Sequence, residues 1–587
     1  MNFFSELKRR NVYKVAVAYA VVGWLLIQVT ATIVPALHMP EVITTAVVVV
    51  VLLGFPVALV IAWAFEMTPE GMKRTDEVQH DSVPRWSRKK FVAVIVVLAV
   101  VAAALLAFQL VGARWITRSS TEGSSDGRTA SLPIADKSIA VLPLVNQSGD
   151  PNQEYFSDGL SEELINVLGQ IHELRVIGRN SCFRFKGKAG DSRAIGQALR
   201  VANVLEGSVR KAGDRVRISV QLVDTANDSQ RWSQSYDREL KDVFAVQEEI
   251  AKSVADQLRV TLLGSATNAL ARPSNVSLDA YNAYLQGKFY FAQRNAAGDT
   301  KALALFEEAI RLDPNYAEAY FAMSRSHSSR AFFQGVKGRE EYELARQAAL
   351  KAAALKPGLA EAHAQLAYYL VMLDWDVAAA ERELARAPGE QAVVLNMRAL
   401  LNRVRGDPRA TAAIQREVID LDPEWTPWYT NLASTLLQLG QYDEAEATLR
   451  KAMELQPGAQ NVHSGFSLLA LLRGQADIAL REAQLEGGIW AEIYAALAQQ
   501  ARGDHTAADA ALKDLIATKG DNFPFQVALV YAGRRETDKL FEWLDRAYAA
   551  RQPLIPNYVV SHALLKPYYG DPRFLELCHK IGVTVPK

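Results

Sequence analysis

The chain lacks the residues that staple small domains and the motifs that announce chemistry. Its 587 residues hold only two cysteines, Cys182 and Cys578, far apart in sequence. A disulfide framework is excluded, and no Cys/His cluster has the spacing to hold zinc. Two lone buried thiols are the expected state, with a Cys182–Cys578 bridge as the alternative. Net charge is also missing, since 65 basic side chains face 65 acidic ones. No basic field therefore exists to gather nucleic acid. GxxxxGK[ST], GxGxxG, HExxH and GxSxG are all absent. His172-Glu173 has no second histidine four residues on, and His463, His505 and His562 are isolated. Asp158, Glu162 and Glu163 could form a carboxylate pair, but near a helix start they more simply complement its dipole. The expectation is a chain that is not an enzyme, with no catalytic residue, cofactor, metal site or small-molecule substrate.

What the chain has in abundance is apolar sequence near its start. Three runs, Val12–Leu37, Val42–Phe65 and Phe91–Val111, each match the roughly 20 apolar residues of a bilayer-spanning helix. Lys8, Arg9, Arg10 and Lys14 precede or enter the first run, and Lys73, Arg74, Arg85, Arg88, Lys89 and Lys90 lie before the third. Positive loops stay cytoplasmic. The reading is a membrane block over 1–112 with three transmembrane α-helices at about 12–37, 42–65 and 91–111. It makes the chain a multi-pass protein of a bacterial inner membrane, with its N-terminus cytoplasmic and its C-terminal domains periplasmic. A cleaved signal peptide or a membrane-dipping hairpin are the alternatives for the first runs. Residues 113–137, rich in Ser, Thr, Gly and charge, read as a flexible linker.

A small α/β domain is expected over 138–263, in the order β-α-β-α-β-β-α. SIAVLPLVN is a buried strand by its β-branched content. Leu160, Leu164, Ile165 and Leu168 form a helical stripe, and Asp191 is placed to cap a second helix. Val204, Val209, Val216, Ile218, Val220 and Leu222 alternate around Ala212-Gly213-Asp214 as a hairpin. The segments SIAVLPLVNQSGDPNQEYFSDGLSEELINVLGQIHELRVIGRNSCFRFKGK, VLEGSVRKAGDRVRISVQLVD and QRWSQSYDREL resemble the TolB-like amino-terminal (FlgO-type) domain. That domain accompanies tetratricopeptide arrays in many proteobacterial proteins. NFFSELKRRNVYKVAVAYAVVGWLL and EMTPEGMKR resemble the membrane block often joined to it. Some relatives carry a cyclase or a winged-helix domain ahead of this unit. Here apolar runs take that place, so neither activity carries over. Cys182 falls in a strand region and reads as packing.

From about 277 the chain turns Ala-rich and helical. Pro423 and Pro457 lie 34 residues apart, Pro388 lies 35 before Pro423, and Pro314 and Pro357 mark earlier units. A 34-residue period is the tetratricopeptide signature. The clearest copy is WYTNLASTLLQLGQYDEAEATLRKAMELQP at 428–457, with Ala433 and Ala445 small where helices cross. Gly406, Gly474, Gly503 and Gly533 fall where further turns are expected. The reading is an all-α tetratricopeptide superhelix over 277–552, about seven units with some degenerate, closed by a capping segment over 553–587. An unrelated helical bundle is the alternative.

These features suggest a membrane-anchored interaction scaffold. It would bind a protein or peptide partner of the cell envelope through the superhelical groove, the TolB-like domain or both. Polar residues on the first helices of the repeats, Asn396, Arg403, Thr430, Ser434 and Gln438, are the candidate groove positions. Each could equally be a solvated surface residue. The lipid bilayer, reached through three helices, is the other expected partner. An enzyme subunit, or a non-catalytic signalling or sensor protein related to cyclase-linked architectures, is the alternative.

Overall fold

A computed structural model describes residues 135–587, except 172, 189–190, 261–276, 333, 388 and 587, together with positions 19, 23, 51, 55, 65–68 and 71–74. The chain divides into two compact units, Met1–Ser131 and Leu132–Lys587. In the first unit, Tyr19, Gly23, Val51 and Phe55 are helical. The Tyr19 hydroxyl donates to the Val51 carbonyl at 3.0 Å, and the Tyr19 and Phe55 rings lie 5.6 Å apart. Strands β1 (Phe65–Thr68) and β2 (Gly71–Arg74) pair antiparallel.

This corrects the membrane reading. Among the described residues no helix is long and apolar enough to cross a membrane. The runs 12–37, 42–65 and 91–111 lie, but for a few positions, outside the described residues. The one described end, Phe65, is extended and pairs with Arg74, where the expectation had the last turn of a helix. Apolar length is necessary for a span but does not suffice, because the backbone must also stay helical throughout. The three transmembrane helices, the inner-membrane placement with periplasmic domains and the bilayer partner are therefore not supported. The expected linker at 113–137 lies, up to residue 134, outside the described residues.

The second unit opens with a six-stranded sheet. Its strands are β3 (Ser138–Val141), β4 (Val145–Asn146), β5 (Arg175–Val176), β6 (Asn203–Ala212), β7 (Arg215–Asp224) and β8 (Ser229–Glu239). The order is β5-β3-β6-β7-β8, with β4 also on β6. β3 runs parallel to both neighbours, and every one of its residues is buried. An unbroken apolar run such as Ile139-Ala140-Val141 suits that central position. β6, β7 and β8 form an antiparallel meander. Its first turn passes through Gly213 at φ 58°, in the left-handed region. Helices α1 (Glu154–Leu168), α2 (Arg179–Phe183), α3 (Ser192–Leu199) and α4 (Val243–Gln257) accompany the sheet. Asp191 caps α3 by accepting from the Ala194 amide. Three details differ from the sequence reading. The single strand expected over 138–146 is broken into β3 and β4. Cys182 sits in α2, buried, and not in a strand. Ser229–Glu239, which takes in all of QRWSQSYDREL but its last residue, is a third antiparallel strand, β8, with nearly every residue exposed.

The rest is a stack of helices: α5 (Leu278–Phe291), α6 (Ala296–Leu312), α7 (Ala317–Phe332), α8 (Arg339–Leu355), α9 (Ala360–Tyr369), α10 (Val377–Leu384), α11 (Ala392–Val404), α12 (Pro408–Leu421), α13 (Thr426–Leu439), α14 (Tyr442–Leu455), α15 (Val462–Leu472), α16 (Ala476–Gln484), α17 (Ile489–Ala501), α18 (His505–Lys519), α19 (Pro524–Arg534) and α20 (Thr537–Ala549). They form eight successive pairs, against the seven or so units that the sequence period suggested. Ala433 and Ala445 are buried at the α13–α14 crossing. Gly406, Gly440, Gly474 and Gly503 make left-handed turns between pair members. Gly533 does not. It lies inside α19, where an added Cβ would meet Leu497 at 2.5 Å, so it serves close helix packing.

Two short helices, α21 (Ile555–Val559) and α22 (Pro572–Lys580), follow, with a 3₁₀ turn at Ala563–Tyr568 between them. Ile555, Val559, Val560, Leu565, Phe574 and Ile581 are all buried in the same hydrophobic core as Leu436, Leu468 and Ile493 of the array.

Candidate functional site

The candidate residues lie on α11 and α13, the first helices of two successive pairs. The chain's own C-terminal segment already occupies part of that space. Gln438 on α13 is 4% exposed, and its Nε2 donates to the Val560 carbonyl at 2.5 Å. Arg403 on α11 donates through Nη1 to Asn557 Oδ1 at 2.7 Å and through Nη2 to Thr435 Oγ1 at 3.1 Å. Past α22, the Thr584 amide donates to the Val404 carbonyl at 2.8 Å.

Beside that segment a cavity of about 120 Å³ remains. Arg403, Thr430 and Ser434 line it, while Gln438 and Asn396 do not. Three of the five expected positions thus converge. Asn396 stands two turns before Arg403 on the same helix, and Gln438 is taken up by Val560. Other walls could not be read from sequence, because they come from distant segments: Asn461 before α15, Ser464 on it, Trp490 and Tyr494 on α17, Asn557 and Tyr558 on α21, and His562 after it. Trp490 and His562 stack with rings 5.9 Å apart, and the Tyr494 hydroxyl bonds to His562 Nε2 at 3.0 Å. A second cavity of about 250 Å³ shares Asn461, Trp490 and Tyr558 with the first, so the two abut along the interior.

The electrostatics of the first cavity are unusual. Burial lowers the Arg403 guanidinium to about 10. At neutral pH Arg403 is still a cation, and it makes no ion pair with any carboxylate among the described residues. Its Nε is fully buried and has no hydrogen-bond partner, and the same holds for Ser464 Oγ. The Glu486 carboxylate accepts from the Asn461 and Ser464 amides, so it is committed to the start of α15. Burial pushes His562 down to about 3, so it is neutral at physiological pH.

The α/β portion meets the array at two places. Glu162 and Glu163 on α1 pair with Lys288 on α5 at 3.1 and 2.6 Å, and Arg179 joins Glu162 at 2.6 Å. Burial raises Glu162, but Lys288 and Arg179 outweigh it and hold the carboxyl at about 2. These acids therefore join two parts of the fold; they are neither a free carboxylate pair nor a solvated helix start. At the second contact, Asp422, after α12, accepts from the Ser181 amide at 2.9 Å, from Ser181 Oγ at 2.5 Å and from Asn180 Nδ2 at 2.9 Å. The Gly178 amide donates to the Leu421 carbonyl at 2.7 Å. Cys182 and Cys578 are both free and buried. Among the described residues no group of three or more His, Cys, Asp or Glu side chains could hold a metal ion.

Comparison with known proteins reaches parts of the chain. Residues 135–253 match the family model of the HilA/YgeH-like transcriptional regulator, second domain. The TolB-like resemblance read from sequence is not shown. Residues 428–458, the copy with the clearest period, match a tetratricopeptide repeat. A protein of Rhizobium meliloti (strain 1021), provisionally named adenylate cyclase 3, is 39% identical over 190 residues. Those residues are 32% of this chain and 32% of that protein, so the chain spans about a third of the length of the curated relative it matches. Among solved structures, the human IFIT1 dimer with m7Gppp-AAAA is 14% identical at TM-score 0.33, covering 52% of this chain and 87% of that one. Pseudomonas aeruginosa pilF is 15% identical at TM-score 0.27, covering 35% and 89%. YrrB, a TPR protein with an unusual peptide-binding site, is 18% identical at TM-score 0.23, covering 35% and 97%. All three scores are low, and no property passes from these proteins to this chain. What stands is a chain similar to a HilA/YgeH-like regulator's second domain over 135–253 and to a tetratricopeptide repeat over 428–458.

Proposed function

We propose that this chain is a non-catalytic interaction scaffold that takes a protein or peptide partner at the mouth of its helical array. The observation that carries this reading is the convergence of Arg403, Thr430 and Ser434, from two successive repeats, on one recess beside the C-terminal segment. Stacked helix pairs present such recesses without any catalytic group, and short segments dock in them through side-chain pockets. Asn396 belongs to the same helix face as Arg403 and extends the surface. Gln438 supports the segment that forms its floor. The α/β portion, read from sequence as TolB-like, offers a second contact along the exposed strand β8.

Site-specific photo-crosslinking from the full chain tests this. A crosslinker at Thr430 or Ser434 should capture a discrete protein, and one at Gln438 should give only internal products to the Val560 region. Capture from β8 alone, with none from Thr430 or Ser434, would move recognition to the α/β portion. The 39% identity to the provisionally named cyclase favours a second reading, a signalling protein related to cyclase-linked architectures. Purified chain that forms cyclic AMP from ATP would establish catalysis and remove the scaffold reading.

A further inference from the structure

We propose that strand β8 pairs antiparallel with β8 of a second copy of this chain, about a two-fold axis through Ser235. β8 ends the sheet order, and all of its residues but Trp232 and Tyr236 are exposed. The direction of its backbone groups can be assigned. The Leu240 amide donates to the Asp214 carbonyl at 2.7 Å, in the register that sets Arg238 opposite Val216 and Tyr236 opposite Ile218. Hydrogen-bonded pairs alternate along an antiparallel ladder. Trp232, Gln234, Tyr236 and Arg238 therefore bond to β7, while Ser233, Ser235 and Asp237 turn their N–H and C=O groups outward. Among the described residues no backbone group answers them. Such a row of open donors and acceptors is a template for another strand.

The strand's own pattern names the occupant. The ladder to β7 slips between Leu222 and Val223, which leaves Arg231 as a bulge, and the strand ends at Glu239. The regular stretch is thus 232–238, with Ser235 at its midpoint. Turned about that point, the stretch meets itself in full. Ser235 exchanges both backbone bonds with Ser235 of the second copy, and Ser233 does so with Asp237. The side chains agree with this register. Trp232 comes opposite Arg238, an aromatic face beside a cation, and Ser233 opposite Asp237, a hydroxyl donor beside a carboxylate. Just outside, Arg231 comes beside Glu239. Charges and bulges on an edge usually oppose pairing. Here the bulge lies beyond the paired stretch, and no like charges stand opposite each other. Asp237 keeps Arg215 and Arg217 of its own chain, at 2.6 and 2.7 Å, so its charge stays answered. A foreign strand would have to supply this pattern, whereas a second copy carries it by construction. The ladder is short against the roughly 1,200–2,000 Å² of a stable interface, so the dimer is weak and concentration-dependent. The pairing does not rest on the scaffold reading.

Sedimentation velocity on the full chain reads it. A reversible monomer–dimer equilibrium is expected, half complete at roughly 100 μM or below. Proline is tolerated on an edge strand where the lost N–H faced solvent. Ser235→Pro should therefore leave the urea midpoint unchanged and weaken dimerisation by about tenfold or more. Cysteines test the register. Opposed residues of a hydrogen-bonded pair lie about 5.5 Å apart at Cα, within disulfide reach. Ser233 would lie roughly 14 Å from its own copy. Mild oxidation should link Ser235→Cys chains and leave Ser233→Cys chains single, and the native thiols are both buried. Should Ser235→Pro misfold, the two cysteine variants decide. A chain still monomeric at about 300 μM overturns the inference, even if its β8 captures a foreign protein. So do dimers unweakened in a folded Ser235→Pro chain, and so does absence of linkage at Ser235 or linkage at Ser233. Crosslinking at Thr430 reads the scaffold separately, so either result can fail without the other.

Discussion

A single imidazole shows how burial becomes a pH response. His562 is 6% exposed, among Trp490, Tyr494 and Tyr558, and folding pushes it from the usual 6.5 to about 3. The unfolded chain takes up a proton below pH 6.5, while the folded chain resists until about 3. Stability is therefore intact at neutral pH and falls as the pH drops through that window. At pH 5 the loss is about 2 kcal/mol from this group alone. Glu162, held at about 2 against its usual 4.5, adds to the acid loss only below about pH 4.5. Between pH 7 and 5, His562→Gln should lose about 2 kcal/mol less than the parent in urea melts. Equal losses would show that His562 takes up its proton in the folded chain. Nothing in the sequence marks His562 as buried, because its partner Tyr494 lies 68 residues away. Periodicity reports which face of a helix is polar. It does not report which distant segment will cover that face, and so Arg403 and Gln438 read alike, though one lines a cavity and the other is sealed against Val560.

At the scale of elements, legibility followed apolar pattern. The Ile139-Ala140-Val141 strand, the α1 stripe and the 428–457 repeat all carry regular burial, and each forms where the pattern placed it. Strand β8 escaped because its residues are nearly all exposed, leaving no alternation to detect. It is held by its backbone ladder to β7 and by pairs such as Arg215–Asp237. Two substitutions in one repeat separate packing from polar support. Ala445 is fully buried between α13 and α14, so Ala445→Trp should overpack the crossing by roughly 1–3 kcal/mol or more. From sequence, Gln438→Ala is a neutral surface change, within roughly 0.5 kcal/mol. With Gln438 buried on Val560, the expectation becomes a loss of about 1 kcal/mol and faster amide exchange across 555–569. Urea melts combined with hydrogen exchange check both, and a neutral Gln438→Ala would mean the C-terminal segment does not rest on α13.

On the scale of the whole molecule, the sequence suggested an α/β domain that stops near 263 and an array that folds apart from it. In the structure residues 132–587 make one compact unit. The bonds responsible join residues that sequence reading cannot pair: Glu163 with Lys288, 125 residues on, and Ser181 with Asp422, 241 residues on. Gly159 on α1 allows the first approach, since a Cβ there would meet Leu285 of α5 at 2.6 Å. At the second contact one side chain, Asp422, accepts three of the bonds. Burial raises the Asp422 carboxyl, and the Ser181 and Asn180 donors work against that rise. Asp422→Ala leaves the Ser181 amide and hydroxyl and the Asn180 amide without their acceptor, in a place water reaches poorly. Breaking such a set costs about 3 kcal/mol or more. The parent chain should unfold residues 138–587 in a single urea transition. Asp422→Ala should lower its midpoint and speed exchange first at 178–186 and 420–426, while the array at 476–549 keeps its protection, as expected where repeats depend on their neighbours. Gly159→Val should act at the other contact, speeding exchange in α1 and α5. Two separate transitions in the parent, one for the sheet and one for the helices, would show that these contacts form without coupling the two parts, and the sequence boundary near 270 would then be a true folding boundary.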